Sequence, residues 1–156
     1  NTIEEVDLFI FKARYYNNQS KKFTRFSFFP SEVKISKLIK DYFSFLLFFG
    51  FTPPHQSTLF TPTVRDKLSK YIEKYRLSAD LNYFLAIGRI TNVCFKSFNK
   101  EIVTISDSGI SSRNLYERLF NVFIIYFRYY GIFFIVPFAF RYFFKVYSKF
   151  RAFSNS

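Results

Sequence analysis

The sequence predicts an α+β fold with a helical N-terminal lobe, a β-rich C-terminal lobe and a basic, aromatic C-terminal extension. Apolar residues recur with helical spacing in three stretches of the first 75 residues. From residue 81 onward, β-branched and aromatic residues instead alternate with polar ones, which is typical of strands. Because 49% of the 156 residues are hydrophobic, the chain can form a core, and wholesale disorder is excluded.

We therefore divide the chain into four segments. Residues 1–52 are expected to form the N-terminal α/β lobe, with two helices and short strands, and residues 53–80 an inserted loop and helix. Residues 81–128 are expected to form the β-rich C-terminal lobe, and residues 129–156 the extension.

The first lobe begins with a helix-start signal. Thr2 and Glu5 have the spacing of a capping box, and the apolar residues behind them share one helical face, which predicts a first helix over residues 3–16. A polar stretch ends this helix. The aromatic run Phe23–Phe29 then predicts a short strand, which Pro30 closes.

Two further helices are expected before residue 80. A broad apolar stripe predicts the second helix over Ser31–Phe49, and Gly50 suits the left-handed position after its last turn. A third, shorter helix is predicted over Thr63–Tyr75. Its polar face carries the basic residues Arg65, Lys67, Lys70 and Lys74. Two interpretations of this face are open: contact with phosphates, or an ordinary solvated surface.

Four strands are predicted in the second half of the chain, where the apolar pattern changes to a period of two. They are Leu81–Ile90, Val93–Phe98, Glu101–Ser106 and Val122–Phe127. Asn99 and Lys100 are expected to link the second of these strands to the third, and a turn over Asp107–Asn114 to follow.

The most apolar stretch, Leu119–Phe140, has a second interpretation as a membrane helix. Its twenty-two residues are long enough to span a bilayer, and a basic cluster follows it. However, Arg128 lies in the middle of the stretch, where a charge costs about 2.5 kcal/mol or more. Gly131 and Pro137 also interrupt it, which favours the strand Val122–Phe127 followed by an extension.

The charge of the chain is strongly basic and unevenly distributed. The formal net charge is +12, and no acidic residue follows Glu117. The basic residues that do follow it are Arg118, Arg128, Arg141, Lys145, Lys149 and Arg151. A one-sided basic tail is typical of chains that bind nucleic acid or an anionic membrane surface.

The composition also suggests a compartment. The excess of Phe, Tyr, Ile, Lys and Asn, with 26 phenylalanines and 12 tyrosines, is typical of an AT-rich organellar genome. Glu4, Glu5 and Asp7 have the wrong sign for an import presequence. We therefore expect a mitochondrial protein that is made inside the organelle.

Residue types that carry catalysis or bind metals are scarce. His55 is the single histidine, Cys94 is the single cysteine, and the four glycines are scattered. A metal site, a disulfide framework and a phosphate-binding glycine loop are therefore not predicted. The serines around Gly109 have no base beside them. We expect neither an enzyme nor a cofactor.

The segment 101–113 differs from its surroundings. A strand leads into a turn that is dense in hydroxyl groups around Gly109 and is followed by Arg113. Hydroxyl and backbone groups of such a turn can approach a sugar–phosphate backbone closely and reach a ribose 2′-OH. The alternative is a plain Ser-rich turn that caps the next helix.

The order of a strand, a Ser-rich turn with glycine, a short helix and a final apolar strand resembles the C-terminal half of the S-eight family of small-subunit ribosomal proteins. That family has a Ser-Thr-Ser-Lys-Gly turn. Aligned on Gly109, Ser106 stands for the threonine, whereas Asp107 replaces the second serine and Ser108 the lysine. The family's strand pair Arg-x-Ser-x-Pro-Gly-x-Arg-x-Tyr is matched in chemistry by Arg89, Thr91, Lys96 and Phe98, with Val93-Cys94 in place of Pro-Gly.

The N-terminal part also resembles this family. The family's first helix ends in Thr-Arg-Ile-Arg-Asn, and Arg14 and Asn17 are in register with it. The family's second helix opens with Pro-Ser-Ser-Lys-Leu and closes before Gly-Phe. Here Ser36-Lys37-Leu38 and Gly50-Phe51 have the matching separation.

The resemblance implies a structural constituent of the small subunit of a mitochondrial ribosome. Such a protein binds the central domain of the small-subunit rRNA and neighbouring ribosomal proteins, and takes no small-molecule substrate. The implied RNA-binding residues are Arg14, Asn17, Lys37, Arg89, Lys96, Ser106, Ser108, Gly109, Ser111, Ser112, Arg113, Arg128, Arg141, Lys145, Lys149 and Arg151.

The alternative from a different class is a single-span accessory subunit of an organellar inner-membrane respiratory complex. It predicts one continuous helix over Leu119–Phe140. The ribosomal interpretation instead predicts a strand at Val122–Phe127 inside a sheet.

Overall fold

Helices and strands are interspersed along the chain in the computed structural model. It describes residues 6–18, 20–27, 29–31, 39, 41–68, 75, 77–90, 93–106 and 114–154, with backbone alone at Arg25, Lys145 and residues 148–154. The strands are β1 (Leu8–Asn17), β2 (Lys22–Phe26), β3 (Thr58–Phe60) and β4 (Phe95–Ser106). The helices are α1 (Tyr42–Phe48), α2 (Pro62–Lys67), α3 (Ala79–Ile87), α4 (Leu115–Tyr130) and α5 (Ile135–Ser154), with short 3-10 turns at His55–Ser57 and Gly131–Phe134. The fold is therefore a mixture of helices and sheet, consistent with the α+β class.

Strand β1 is the centre of the sheet. Its residues 8–16 pair in parallel with β4 along one edge. The other edge is shared, because β3 pairs with residues 8–10 and β2 with residues 14–17, both antiparallel. In the gap between β2 and β3, the Ser57 hydroxyl donates to the carbonyl of Phe11 at 2.8 Å, so this carbonyl has a partner where neither strand reaches it.

Strand β4 is longer than the part of β1 that it pairs with. Phe98 lies opposite Phe11, whereas the next paired residue, Glu101, lies opposite Lys12. Asn99 and Lys100 are therefore extra residues in a bulge, and both are exposed. The sequence predicts these two residues as a linker between two separate strands. In the structure, the bulge accommodates them, so the two predicted strands form the single irregular strand β4.

The core lies on one face of the sheet, under α1, α3 and α4. The sheet contributes Leu8, Ile10 and Phe95, each at most 3% exposed. The helices contribute a larger set of buried side chains: Phe43, Leu46 and Leu47 from α1, Leu81, Phe84, Leu85 and Ile87 from α3, and Val122, Ile125 and Tyr126 from α4. Removing these side chains from water is the main stabilising term of the fold.

Helix α1 ends as the sequence predicts. Asp41 caps its start, because its side chain accepts a hydrogen bond from the Ser44 amide at 3.1 Å. At its end, the amides of Gly50 and Phe51 donate to the carbonyls of Leu47 and Leu46, both at 3.0 Å, which is a Schellman motif. Gly50 has the left-handed φ of 78° that this motif requires, so its predicted role is confirmed.

Gly50 also allows α5 to pack against the end of α1. A Cβ atom at this position would lie 2.5 Å from the backbone nitrogen of Arg141. Around this close approach, Phe49 packs on Phe140 and Phe51 on Phe144, with ring centroids 5.4 and 4.4 Å apart. Arg141 donates to the hydroxyl of Thr52.

Helices α4 and α5 form a hairpin that reverses at Gly131. The backbone of Gly131 has φ 56° and ψ −132°, a conformation that residues other than glycine rarely adopt. Phe134 then packs on Phe123 and Phe127, with centroid separations of 4.8 and 5.8 Å. In a straight helix, Phe123 and Phe134 would be about 16 Å apart along the axis, so the chain folds back on itself.

Three predicted elements are wrong. The helix over residues 3–16 is strand β1 from Leu8 onward, and residues 1–5, with their capping box, lie outside the described residues. The predicted strand over Leu81–Ile90 is instead helical as far as Ile87, within α3, and the one over Val122–Phe127 lies within α4. All three are apolar or aromatic runs whose periodicity fits helix and strand alike, so tertiary pairing decided their structure.

The remaining predictions are confirmed in part. The strand after the first turn spans Lys22–Phe26, shorter than predicted. The second helix is present as α1, which begins only after its N-cap Asp41, and the third as α2, which ends before an extended Leu68, so both are shorter than predicted. Residues 32–38, 40 and 69–74 of the predicted spans lie outside the described part of the chain. Strands from both halves join in one sheet, so residue 81 does not separate helices from strands.

Candidate nucleic-acid interface

The parallel pairing of β1 with β4 brings together two segments that are far apart in sequence. Arg14 lies opposite Thr104, and Tyr16 lies opposite Ser106. The Asn18 side chain donates to the Ser106 hydroxyl at 3.4 Å across the same end of the sheet. Because the carboxyl ends of parallel strands meet at one edge, three predicted site residues, Arg14, Asn17 and Ser106, are neighbours.

We name this region the strand-end surface. It comprises Arg14, Asn17, Asn18, Lys21, Lys22, Phe23, Phe26, Thr104 and Ser106. The predicted hydroxyl-rich turn begins directly after Ser106. Its residues Ser108, Gly109, Ser111, Ser112 and Arg113 lie outside the described residues, as does Lys37.

Arg14 is held in place by three partners. Its guanidinium carbon lies 4.6 Å from the ring centroid of Phe23 and 5.4 Å from that of Phe26. Its Nη2 contacts a Glu101 carboxylate oxygen at 2.5 Å, and both side chains are about one-third exposed. Arg14 thus orients two rings that remain half exposed, and such rings can stack on unpaired bases.

The turn between β1 and β2 presents two adjacent lysines. The Asn17 side-chain oxygen accepts a hydrogen bond from the Ser20 amide at 3.1 Å, which closes the turn. Lys21 has a left-handed φ of 52°, and both Lys21 and Lys22 are exposed. The sequence assigns this polar stretch to the end of a helix, so it misses both lysines. The signal that could have found them is a polar loop between two aromatic runs, which is the pattern of a hairpin.

A second aromatic group lies on the first half of the sheet. The rings of Phe9 and Phe11 stack on that of Phe98, with centroids 6.4 and 4.9 Å apart. Lys96 lies opposite Phe9 on β4 and is exposed. Alternation along the strands puts Lys96 on the same face as these three rings, so this predicted site residue has aromatic neighbours, as in sheets that stack RNA bases.

Other predicted site residues lie elsewhere. Arg89 is exposed, with its guanidinium carbon 4.5 Å from the ring centroid of Tyr129. Arg128 is exposed near the end of α4, and Arg141 is half-buried beside Gly50. Three more predicted site residues lie on α5, where the structure gives the backbone alone: Lys145, Lys149 and Arg151. Helix α5 contacts β2, so the helix that carries them reaches the sheet.

The surroundings of His55 are aromatic. Its ring lies 5.8 Å from that of Phe60 and 6.3 Å from that of Tyr83, and its Nδ1 is 4.0 Å from an Asp80 oxygen. Desolvation raises the pKa of the Tyr83 hydroxyl, and the charge of Arg65 partly offsets this increase. Among the described residues, no three His, Cys, Asp or Glu side chains lie together as they would to hold a metal ion.

The C-terminal helices are apolar on their outside. Leu115–Phe144 is a run of helical residues that is long and apolar enough to cross a membrane by length and composition. Only 22% of its apolar 18-residue window is buried inside the protein. The reversal at Gly131 divides this run into the two arms of the hairpin.

Comparisons of the chain with models of protein families, with curated proteins and with solved structures find no match. What the chain can bind therefore follows from the chemistry of its own residues.

Proposed function

We propose that the chain is an RNA-binding structural protein that uses the strand-end surface. In its finer form, the proposal is a constituent of the small subunit of a mitochondrial ribosome, bound to the central domain of the small-subunit rRNA. The observation that carries the RNA proposal is the convergence of Arg14, Asn17 and Ser106 at the carboxyl ends of two parallel strands.

The strand-end surface combines the groups that RNA-binding proteins use. Lys21 and Lys22 are exposed cations that can neutralise phosphates. Thr104 and Ser106 are exposed and have hydroxyl groups that can meet a ribose or a phosphate. Phe23 and Phe26 have exposed ring area for stacking on unpaired bases.

Three of the described acidic side chains are engaged in structural contacts. A carboxylate oxygen of Asp7 accepts from the Cys94 amide at 2.9 Å, and Asp41 caps α1. Glu101 contacts Arg14. The formal net charge of the chain is +12, and its exposed cations include Lys21, Lys22 and Arg128, which favours a polyanionic partner.

The finer proposal rests on the family resemblance of the segments around Arg14–Asn17 and Gly109. The residues of the first motif lie on a strand here and not at the end of a helix, and Val122–Phe127 is helical. The support from these segments is thus their chemistry and the pairing of β1 with β4 as far as Ser106.

Salt-dependent RNA binding tests the site. The double variant K21Q/K22Q removes two cations at the strand-end surface, and R65Q/K67Q removes two exposed cations on α2 as the matched control. Affinity for a fragment of the rRNA central domain is measured over a range of salt concentrations. We expect K21Q/K22Q to reduce the slope of log affinity against log salt by about 1.5, whereas the control leaves it unchanged. Equal salt slopes for K21Q/K22Q and R65Q/K67Q would contradict the proposal that the strand-end surface binds RNA.

Sedimentation tests the ribosomal form. A lysate of the source organelle is separated with and without detergent and magnesium. The proposal expects the chain to travel with small subunits in detergent and to be released at high salt. Release by detergent alone would contradict it.

A second candidate function is the single-span accessory subunit of an inner-membrane respiratory complex. Two observations favour it: Val122–Phe127 is helical, as it predicts, and only 22% of the apolar 18-residue window within Leu115–Phe144 is buried. Gly131, however, folds this run back on itself, whereas a single span needs a continuous helix.

A further inference from the structure

The outside of the α4–α5 hairpin is apolar where a water-facing helix would be polar. Of the eighteen exposed large apolar side chains among the described residues, twelve lie between Leu115 and Tyr147. On α4, the residues Tyr116, Phe120, Phe123 and Phe127 follow one another at helical spacing, and all are exposed. Such a stripe normally faces a core or a partner.

Helix α5 repeats this arrangement. Its inner side packs on α1 through Pro137 and Phe140, whereas Ile135 and Phe143 are 62% and 63% exposed. The one arginine of α5 with a described side chain, Arg141, is bonded to Thr52 and is half-buried. Apolar side chains therefore cover the exposed face of α5 over the part with described side chains.

The tip of the hairpin indicates which partner fits. Gly131–Phe134 is a 3-10 turn, in which successive side chains point about 120° apart. Phe134 packs back on α4, whereas Ile132 and Phe133 are 77% and 64% exposed in the two other directions. A partner helix or a second copy of the chain can cover one side of such a tip. Fluid lipid covers all of its exposed sides.

Charge supports the same partner. No acidic residue follows Glu117, so every charged side chain from Arg118 to the end of the chain is basic. Arg128 is exposed beside the apolar stripe, three residues before the turn. A long arginine side chain can reach the headgroup layer while its neighbours enter the acyl region.

We propose that the α4–α5 hairpin inserts its tip and outer face into an anionic lipid bilayer from one side, without crossing it. Amphipathic helices that lie at a bilayer surface bury their apolar side about 5 to 10 Å deep. The inference is independent of the RNA proposal, because it uses none of the residues of the strand-end surface. The two together describe an RNA-binding protein anchored at a membrane.

Vesicle flotation tests the insertion. The full chain is synthesised in a cell-free system with sealed vesicles of phosphatidylcholine and phosphatidylglycerol, or of phosphatidylcholine alone. We expect flotation with the first vesicles, and binding weaker by several-fold with the second. The variant F120Q/F143Q should reduce the bound fraction about tenfold or more. The control F45Q/L59Q replaces two exposed apolar side chains outside the hairpin and should leave binding unchanged.

A second double variant keeps the test valid if F120Q/F143Q does not fold. I132Q/F133Q changes only the tip, where both side chains are largely exposed, and should also reduce flotation. Equal flotation of both hairpin variants and the control would overturn the proposal. So would a wild-type chain that does not float but forms dimers or larger oligomers that F120Q/F143Q disperses, because the partner would then be a second copy.

Labelling distinguishes the hairpin from a single span. In a C94S background, the single substitutions N114C and S154C mark the two ends of the hairpin. A membrane-impermeant maleimide added outside sealed vesicles should label both positions. Protection of one position alone would overturn the one-sided insertion in favour of a transmembrane helix.

Discussion

The strand-end surface and the α4–α5 hairpin are both rich in aromatic residues, but they use them differently. At the strand end, the exposed rings of Phe23 and Phe26 lie against a guanidinium and beside two lysines. On the hairpin, exposed rings such as Phe120 and Phe143 form apolar stripes with Arg128 as a flanking charge. The same residue type thus serves a polar partner in one region and an apolar partner in the other.

This difference shows that aromatic content alone does not identify a partner. A phenylalanine beside a cation offers a stacking face to a base whose phosphates the cation attracts. A phenylalanine among other apolar side chains offers mainly the free energy of leaving water. The neighbours that the fold supplies decide which of these two uses applies.

The largest expected effect concerns the attachment of the hairpin to the rest of the molecule. Gly50→Ala combines a left-handed φ with a Cβ atom 2.5 Å from the Arg141 backbone, so we expect a loss of about 4 kcal/mol in the free energy of unfolding. At Gly131 φ is also positive, but no atom lies within 4 Å of an added Cβ, so we expect Gly131→Ala to lower the free energy of unfolding by only about 2 kcal/mol. Denaturant titration measures both. Equal losses would mean that the contact between Gly50 and α5 contributes nothing.

The two sides of α4 should differ by almost as much. Ile125 is 0% exposed in the core, and Ile125→Ala should cost about 3 kcal/mol of folding free energy. Phe120 is 62% exposed, and Phe120→Ala should change stability by less than about 0.5 kcal/mol in the absence of lipid. A large loss for Phe120→Ala in a monomeric sample would indicate that its ring is buried, contrary to the proposed lipid-facing stripe.

A smaller effect is expected at the strand end. Arg14→Gln removes the contact with Glu101 and the stacking on two rings. We expect the loss of these contacts to lower the free energy of unfolding by about 1 kcal/mol. Arg14→Lys keeps the charge and should lose only part of that stability, since lysine lacks the planar group that covers a ring. Unfolding curves at low and high salt check both variants. If both variants lost the same unfolding free energy, the charge of Arg14 would not contribute to stability.

The smallest effect on stability is expected at Asn17, where two substitutions separate the closing of the turn from the binding of RNA. Asn17→Ala removes the acceptor that closes the β1–β2 turn and should cost about 0.5 to 1 kcal/mol. Asn17→Asp keeps an acceptor oxygen and should be closer to the wild type in stability, but it adds a negative charge to the strand-end surface. We expect Asn17→Asp to bind RNA more weakly than Asn17→Ala does. If affinity followed stability instead, Asn17 would act only through the turn.

Parts of this architecture could be predicted because they depend on neighbours in the chain. The left-handed Gly50 follows an apolar helical stripe, and helix α2 begins at Pro62, one residue before the predicted start at Thr63. The two strands after Val93 were also expected, and their predicted linker is the bulge at Asn99 and Lys100. Of the candidate site, the family resemblance predicts Arg14, Asn17 and Ser106 as RNA contacts, but it does not predict that they lie close together.

Composition and local spacing establish a basic chain with ample core material, helix and strand together, and a mostly apolar C-terminal stretch without acidic residues. They leave open the structure of each aromatic run, because rows of Phe, Tyr, Ile and Leu satisfy a period of two and a period of 3.6 alike. Residues 8–17 are a strand since β4, more than 80 residues later, pairs with them, and Val122–Phe127 is helical since one side of α4 packs into the core. Long-range pairing and packing select one of two structures that the local sequence permits, and the same packing leaves the outer face of the hairpin exposed.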